Sequence, residues 1–249
     1  GKSAKSAVVL ATRLLEDCPL FNAGKGSAIQ ADGIIRMSAS LMDGKNLRFS
    51  GAINVRGVKN PILLADRLQN AQSRVLASSG AKTFAQKHLL PMASPYTSRS
   101  REILRRRLKQ SRDTVGAVAL DIEGRIFAAT STGGMSATHP DRVSDSATVA
   151  GNYANEFAGV SVTGVGEQIV EHAVAAAIVT RVEDGLSLKQ AMDRTIGKAR
   201  KFNADFGCIG VSRDGQWHSA RSSAAMAWAV KTENEFQIEP YPLVRDRVI

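Results

Sequence analysis

Cysteine is nearly absent: Cys18 and Cys208 are the only two in 249 residues. Two thiols cannot build a disulfide framework and these lack zinc-ligand spacing, which points to a thiol-reducing compartment, the cytoplasm, and to no structural metal of the cysteine type. Long apolar runs are missing too. The longest, near Ala173 to Thr180, is flanked by Glu167, Glu171, Arg181, Glu183 and Asp184, so no membrane span is expected. No small-residue cleavage site follows the opening Gly-Lys-Ser-Ala-Lys-Ser, and no signal segment is recognisable there. Histidine is scarce. His88, His139, His172 and His218 have no metal-pair spacing, and His172, in an apolar helical pattern, reads as a packed core residue. No phosphate-binding glycine loop is found, Gly24-Lys-Gly-Ser27 being too short, and no motif supports a Ser-His-Asp triad.

What remains is ordinary globular material. With 43% apolar and 22% charged residues, the chain suits a single layered domain that buries roughly 70 to 75% of its unfolded surface. Disorder, collagen and coiled coil are excluded. The net charge of +10 is unevenly spread: residues 1 to 98 carry +8, residues 99 to 112 carry +6 and residues 113 to 249 carry −4. The block Arg99 to Arg112 contains no aromatic side chain to stack on a base. It reads as a basic flexible linker over residues 98–112, with a nucleic-acid or localisation patch as the alternative.

Periodicity predicts a helix from Ser3 to Glu16 ended by Cys18-Pro19, strands in Gly33 to Met42 and Gly51 to Val55, a helix from Pro61 toward Val75, and a short helix from Gly80. After Asp113 the texture becomes small and β-like. Thr114 to Asp121 and Arg125 to Thr130 around Glu123-Gly124 form a hairpin pattern, and Thr148 to Asn155 and Gly159 to Thr163 read as strands. One long helix is expected from Glu167 to Val182, a capped one from Ser187 to Phe202, and a last hairpin around Asp214-Gly215. Strands with helices between them argue for stacked sheets covered by helices. Threonine, serine and glycine concentrate in Thr130-Ser-Thr-Gly-Gly134, Arg142-Val-Ser-Asp145 and Thr163-Gly-Val-Gly166. By composition alone these read as ordinary β-rich segments and their turns.

Several runs carry a resemblance. Leu15-Glu-Asp-Cys-Pro-Leu-Phe-Asn-Ala-Gly-Lys-Gly-Ser27, Leu41-Met-Asp-Gly44 and Val58-Lys-Asn-Pro-Ile62 resemble the first half of the plant-type asparaginases, or isoaspartyl peptidases. Asp113 to Asp121, Ala129 to Met135, Arg142 to Ser146 and Thr163 to Glu167 resemble the second half, in the same order and spacing. The likeness covers nearly the whole chain. It implies an α+β fold, the four-layer αββα sandwich of N-terminal-nucleophile (Ntn) hydrolases, in one domain over residues 1–249. It also implies autocleavage between Asp113 and Thr114 into an α subunit of 1–113 and a β subunit of 114–249.

By the same resemblance Thr114 is the nucleophile, Thr132 hydrogen-bonds it, and Thr163 with Gly164 N–H forms the oxyanion hole. Arg142 takes the substrate carboxylate, Asp145 its ammonium, and Asn22 stands near the site. The backbone carbonyls of Leu15, Glu16, Cys18, Phe21, Ala23 and Lys25 match a structural sodium loop, no catalytic cofactor is expected, and the subunits are expected to pair as (αβ)₂. The implied activity is hydrolysis of the L-asparagine side-chain amide and of β-aspartyl peptides. A threonine aspartase-like protease is an alternative that Asp145 argues against, since an internal peptide residue has no α-ammonium. Glycosylasparaginase would be expected to show a leader and disulfides.

The sequence also departs from the family. The usual first strand and His-Gly-Gly-Ala-Gly run are not found, so the sheet is expected to lack a strand beside the nucleophile. Ser38 replaces an Asp, Asp141 and Ser144 replace glycines, and Asn203 to Cys208 replaces a glycine-rich segment, so that Phe206 is expected to narrow the pocket. These departures support a third reading, a degenerate non-catalytic paralogue with a binding or structural role.

Overall fold

The computed structural model describes residues 3–106 and 114–240. Helix α1 (Ala4–Asp17) starts where the Ser3 hydroxyl accepts from Ser6 N–H. Strands β1 (Met37–Asp43) and β2 (Arg48–Val55) follow, then α2 (Pro61–Leu68), β3 (Val75–Ala77), α3 (Ser78–Lys87) and α4 (Ser98–Arg105). The second half runs β4 (Val115–Leu120), β5 (Ile126–Thr132), β6 (Asn152–Ala154), β7 (Ala158–Gly164), α5 (Gly166–Glu171), α6 (Val174–Glu183) and α7 (Leu188–Lys201). It ends with β8 (Phe206–Ser212), β9 (Trp217–Arg221), β10 (Trp228–Lys231) and β11 (Phe236–Glu239). One sheet has the order β3-β2-β1-β5-β4, a second β6-β7-β8-β9, and β10 pairs with β11 in a two-stranded sheet. Among the described residues β4 is an edge strand, on the side where the resemblance leaves a strand unaccounted for.

Alternation along the strands decides what each face meets. Leu41, Phe127 and Ala129 point to Ala4 and Val8 of α1 and Ile62 and Ala65 of α2. The intervening Met42, Ile126 and Ala128 point the other way and meet Ala154 and Val211 of the second sheet. That sheet packs Val160, Val162 and Phe206 against Ile169 of α5, Ile178 of α6 and Met192 of α7. Each fully buried Met or Ile here contributes about 1.5 to 3 kcal/mol by transfer from water.

Toward one end, the contact between the sheets becomes small and polar. Thr130 Oγ1 and Ser161 Oγ lie 2.6 Å apart, and Asn152 Nδ2 donates to Ser40 Oγ at 2.9 Å. Gly116 lies over Ser161, where a Cβ would stand 1.9 Å from the hydroxyl oxygen. Nothing larger than glycine lets β4 cross β7 at that distance.

Several sequence expectations are corrected. The helix from Pro61 stops at Leu68, because the Gln69 side-chain amide donates to Leu41 O, Arg48 O and Ser50 Oγ and pulls the chain back toward the sheet. The single helix over 167–182 is two, broken at Ala173 with φ 46°; Ala175 N and Ala176 N donate to Ala150 O and Val149 O instead. Of Thr148 to Asn155 only Asn152–Ala154 is strand, since Thr148 Oγ1 and N–H both turn back to Asp145 O. The flexible-linker reading fails for residues 98 to 105. Thr97 and Ser100 form a reciprocal cap for α4, and Arg99 Nη1 donates to Leu20 O at 3.0 Å. The rest of the basic block, 107–112, lies outside the described residues.

Gly116→Ala should cost about 1 to 3 kcal/mol of stability by overpacking. Thermal melts should show Gly116→Ala/Ser161→Gly recovering part of that loss, and an unaffected single variant would contradict this sheet contact.

Candidate active site

Thr114 immediately precedes β4. Because Val115 pairs with Ser131, the register carries Thr114 opposite Thr132 at the end of β5. The tight Gly116–Ser161 crossing brings the end of β7 to the same place, where Thr114 N–H donates to Thr163 Oγ1 at 3.0 Å. Thr132 Oγ1 accepts from Gly134 N–H at 3.1 Å, which folds the chain into a turn beside the threonines. Gly164 has φ +147°, and a Cβ there would stand 2.5 Å from Asp205 O and Phe206 Cα. Glycine is required at that position by conformation and by space.

Thr114, Thr132, Gly164, Arg142 and Asp145 line one small pocket with Ser144, Gly134, Met135 and Gly166. Asp145 is buried, opens a 3₁₀ turn capped by Ser144, and has an Oδ2 with no hydrogen-bond partner among the described residues. Burial pushes its carboxyl up to about 7, opposed by the Arg142 charge and reinforced by Glu167. Arg142 lies in a loop and is held by Glu167 through Nε to Oε1 at 2.6 Å and Nη2 to Oε2 at 2.7 Å. That pairing keeps the Glu167 carboxyl below its ordinary range. The pocket therefore offers a hydroxyl, a guanidinium and a carboxyl with one oxygen unpartnered among the described residues.

The remaining nominated residues surround this pocket or lie outside it. Asn22 is buried behind the wall: Nδ2 donates to Gly134 O, Oδ1 accepts from Ala28 N–H, and its carbonyl accepts from Gly133 N–H. Its amide holds the Gly133–Gly134 turn. Leu15, Glu16, Cys18, Phe21, Ala23 and Lys25 lie at the C-terminal end of α1 and in the loop after it. Asp113 lies outside the described residues.

Two departures are accommodated away from the pocket. Asp141 takes φ 61°, a conformation that aspartate tolerates better than most residues, and its carboxylate pairs with Arg36 Nε at 2.8 Å. Phe206 does not narrow the pocket as expected; its side chain is fully buried, with its ring 6.0 Å from that of His172. Ser38 Oγ accepts from Asn54 N–H and Ser144 Oγ from Ser146 N–H, so both hydroxyls take part in local backbone bonding.

Two functional-looking groups escaped sequence reasoning. Glu167 was visible only as the last letter of a motif. Glu16 was considered for its carbonyl alone, yet its side chain is completely buried behind β5, accepting from Ser131 Oγ at 2.6 Å and Ile62 N–H at 2.9 Å. Burial pushes that carboxyl up to about 8, so it is largely protonated at neutral pH. A glutamate facing an apolar helical stripe was the available signal.

Comparison with known proteins identifies the family. A family model described as Asparaginase matches residues 1–112 and 97–239. The chain belongs to the asparaginase family. Within that family it is 46% identical over 234 residues to an isoaspartyl peptidase/L-asparaginase of Synechocystis sp., covering 86% of this chain and 71% of the relative. It is 37% identical over 258 residues to an isoaspartyl peptidase/L-asparaginase of Xenopus laevis, covering 97% of this chain and 83% of the relative. A plant-type L-asparaginase of Pyrococcus furiosus is 37% identical over 258 residues, covering 93% and 84%. An asparaginase-family hydrolase thus carries, in one pocket, five of the residues the sequence motifs nominated.

The buried Asp145 carries a stability signature. Its folded pKa, about 7, lies above the unfolded 3.8, so its stabilising balance is intact below pH 3.8 and is lost as pH rises through 7. In ligand-free protein Asp145→Asn should remove that slope, melting higher than wild type at pH 8 with the gap closing toward pH 4. Parallel melting curves across that range would show that Asp145 is not an uncompensated carboxyl.

Proposed function

We propose that the chain is an N-terminal-threonine amidohydrolase that cuts itself between Asp113 and Thr114 and then hydrolyses the side-chain amide of L-asparagine and β-aspartyl peptides. The observation that carries the proposal is the shared pocket of Thr114, Arg142 and Asp145. A guanidinium and a carboxylate side by side suit a ligand with an α-carboxylate and an α-ammonium, and the planar fork of Arg142 suits the carboxylate. The names of the relatives support the same substrate class.

In the uncut chain the Thr114 nitrogen is an amide and cannot act as a base. Cleavage would free an α-amine with a reference pKa of about 7.7 to 8.0, able to take the Thr114 hydroxyl proton as Oγ attacks the amide carbonyl. Thr163 Oγ and Gly164 N–H would stabilise the oxyanion, an effect worth about 3 to 4 kcal/mol per donor. Collapse would expel ammonia or an amine carrying that proton, and water would release aspartate from the ester. Thr132 would orient the nucleophile.

The packing of α1 and α2 on one sheet, sheet on sheet, and α6 and α7 on the other supports the αββα layering of Ntn hydrolases. Residues 1–113 and 114–249 would be the α and β subunits of one domain, paired as (αβ)₂. A sodium ion would fit the carbonyls of Leu15, Glu16, Cys18, Phe21, Ala23 and Lys25. A Cβ on Gly24 would stand 2.3 Å from Glu16 O and one on Gly26 2.0 Å from Phe21 O, so glycine leaves the loop oxygens uncovered, and Leu15 O, Cys18 O and Ala23 O accept long backbone bonds of 3.2 to 3.4 Å. The ion would fix the loop that carries Asn22. A reducing compartment, the cytoplasm, suits the free thiols of Cys18 and Cys208, the latter pushed up to about 12 by burial.

Purified protein should release ammonia from L-asparagine and leucine from β-aspartyl-leucine, and Arg142→Lys should raise KM about tenfold or more by losing the fork geometry. No turnover of either compound by self-cleaved protein would leave a non-catalytic relative. Unchanged kinetics in Arg142→Lys would remove Arg142 from the substrate site.

A further inference from the structure

The guanidinium of Arg142 has two edges able to take a carboxylate, Nε with Nη2 and Nη1 with Nη2. Glu167 occupies the first at 2.6 and 2.7 Å. Nη1 makes no hydrogen bond among the described residues, so the second edge is available on a side chain that lines the pocket. Arg142 itself follows Asp141, whose φ is 61°, in a segment without helix or strand, and nothing in its own backbone fixes its long side chain. Glu167, by contrast, sits in the first turn of α5, three residues after Gly164 at the end of β7. Gly166 allows this closeness: a Cβ there would stand 2.8 Å from both Arg142 Nη2 and Asp145 Oδ1. The arm of Glu167 is 56% exposed and contributes no surface to the pocket.

We infer that Glu167 is a positioning residue for substrate specificity: it clamps one edge of Arg142 so that the other is presented to the α-carboxylate of the substrate, in register with the β7 strand that bears Thr163 and Gly164. The inference rests on the reading of Arg142 as the carboxylate-binding group. Its consequence is selective. Removing the clamp harms ligands that have an α-carboxylate and spares those that lack one.

The test compares L-asparagine with 3-aminopropanamide, the same amide without the α-carboxylate, in wild type, Glu167→Gln and Arg142→Lys. Glu167→Gln should raise KM for L-asparagine and Ki for L-aspartate about tenfold, the freedom regained by an unpinned arginine, with kcat within about twofold. Turnover of 3-aminopropanamide should be unaffected, and the double variant should be no worse than Arg142→Lys alone. An unchanged or lowered KM, or equal losses on both amides, would overturn the inference. Loss of self-cleavage in Glu167→Gln would overturn it too, because a residue acting through Arg142 on substrate is not needed before substrate binds. Should Arg142→Lys alone leave L-asparagine kinetics intact, the substrate-site reading fails first; should only Glu167→Gln be silent, that reading stands and the clamp falls.

Discussion

The site depends on how closely two sheets approach at a single crossing. Gly116 on β4 sits against Ser161 on β7 with no room for a methyl group, and the neighbouring Thr130 and Ser161 hydroxyls lie 2.6 Å apart. The apolar side chains beyond this contact supply most of the stabilisation, about 1.5 to 3 kcal/mol for each buried Ile or Met against about 1 kcal/mol for a neutral hydrogen bond. The polar crossing sets position instead. Two residues along from Gly116 and Ser161, respectively, the same approach places the Thr114 nitrogen 3.0 Å from Thr163 Oγ1. Groups separated by 49 residues meet because strand registers on both sides leave them no other place.

Charge around the pocket follows a different logic from charge over the chain. The net +10 is concentrated before residue 113, while the pocket sets the Arg142 guanidinium near the Asp145 carboxyl, with Glu167 pairing the guanidinium from outside. Asp145 is buried with an oxygen that lacks a partner among the described residues, which costs stability and raises its proton affinity. The proposed zwitterionic substrate would set an ammonium against Asp145 and a carboxylate against Arg142. Glu16 represents the structural use of a buried acid, largely protonated and joining α1, the start of α2 and β5 through Ile62 N–H and Ser131 Oγ.

Much of this was legible in the residues. Ser3 and Ser187 announced the starts of α1 and α7, and Glu123-Gly124 and Asp214-Gly215 announced two hairpins. Thr114, Thr132, Arg142, Asp145 and Gly164 were nominated through the family resemblance of ordered motifs, and they share a pocket. What was not legible depends on partners distant in sequence. The apolar run through Ala173 hides a break because Val149 and Ala150 carbonyls take its amides, and Gln69 ends α2 by bonding three acceptors on β1 and β2. Asp141 reads as a charge near the pocket until Arg36 is seen beside it, and Phe206 as an obstruction until its ring is found in the core. Strands β10 and β11, which pair with each other, left no recognised pattern.

The central claim is that Thr114 becomes an N-terminal nucleophile. It is tested most directly by intact-mass spectrometry of purified wild type and Thr114→Ala, incubated for days and measured under denaturing conditions. The account predicts two wild-type fragments divided between Asp113 and Thr114, and a single uncut Thr114→Ala chain. An uncut wild type, or a variant cut at the same bond, would contradict it.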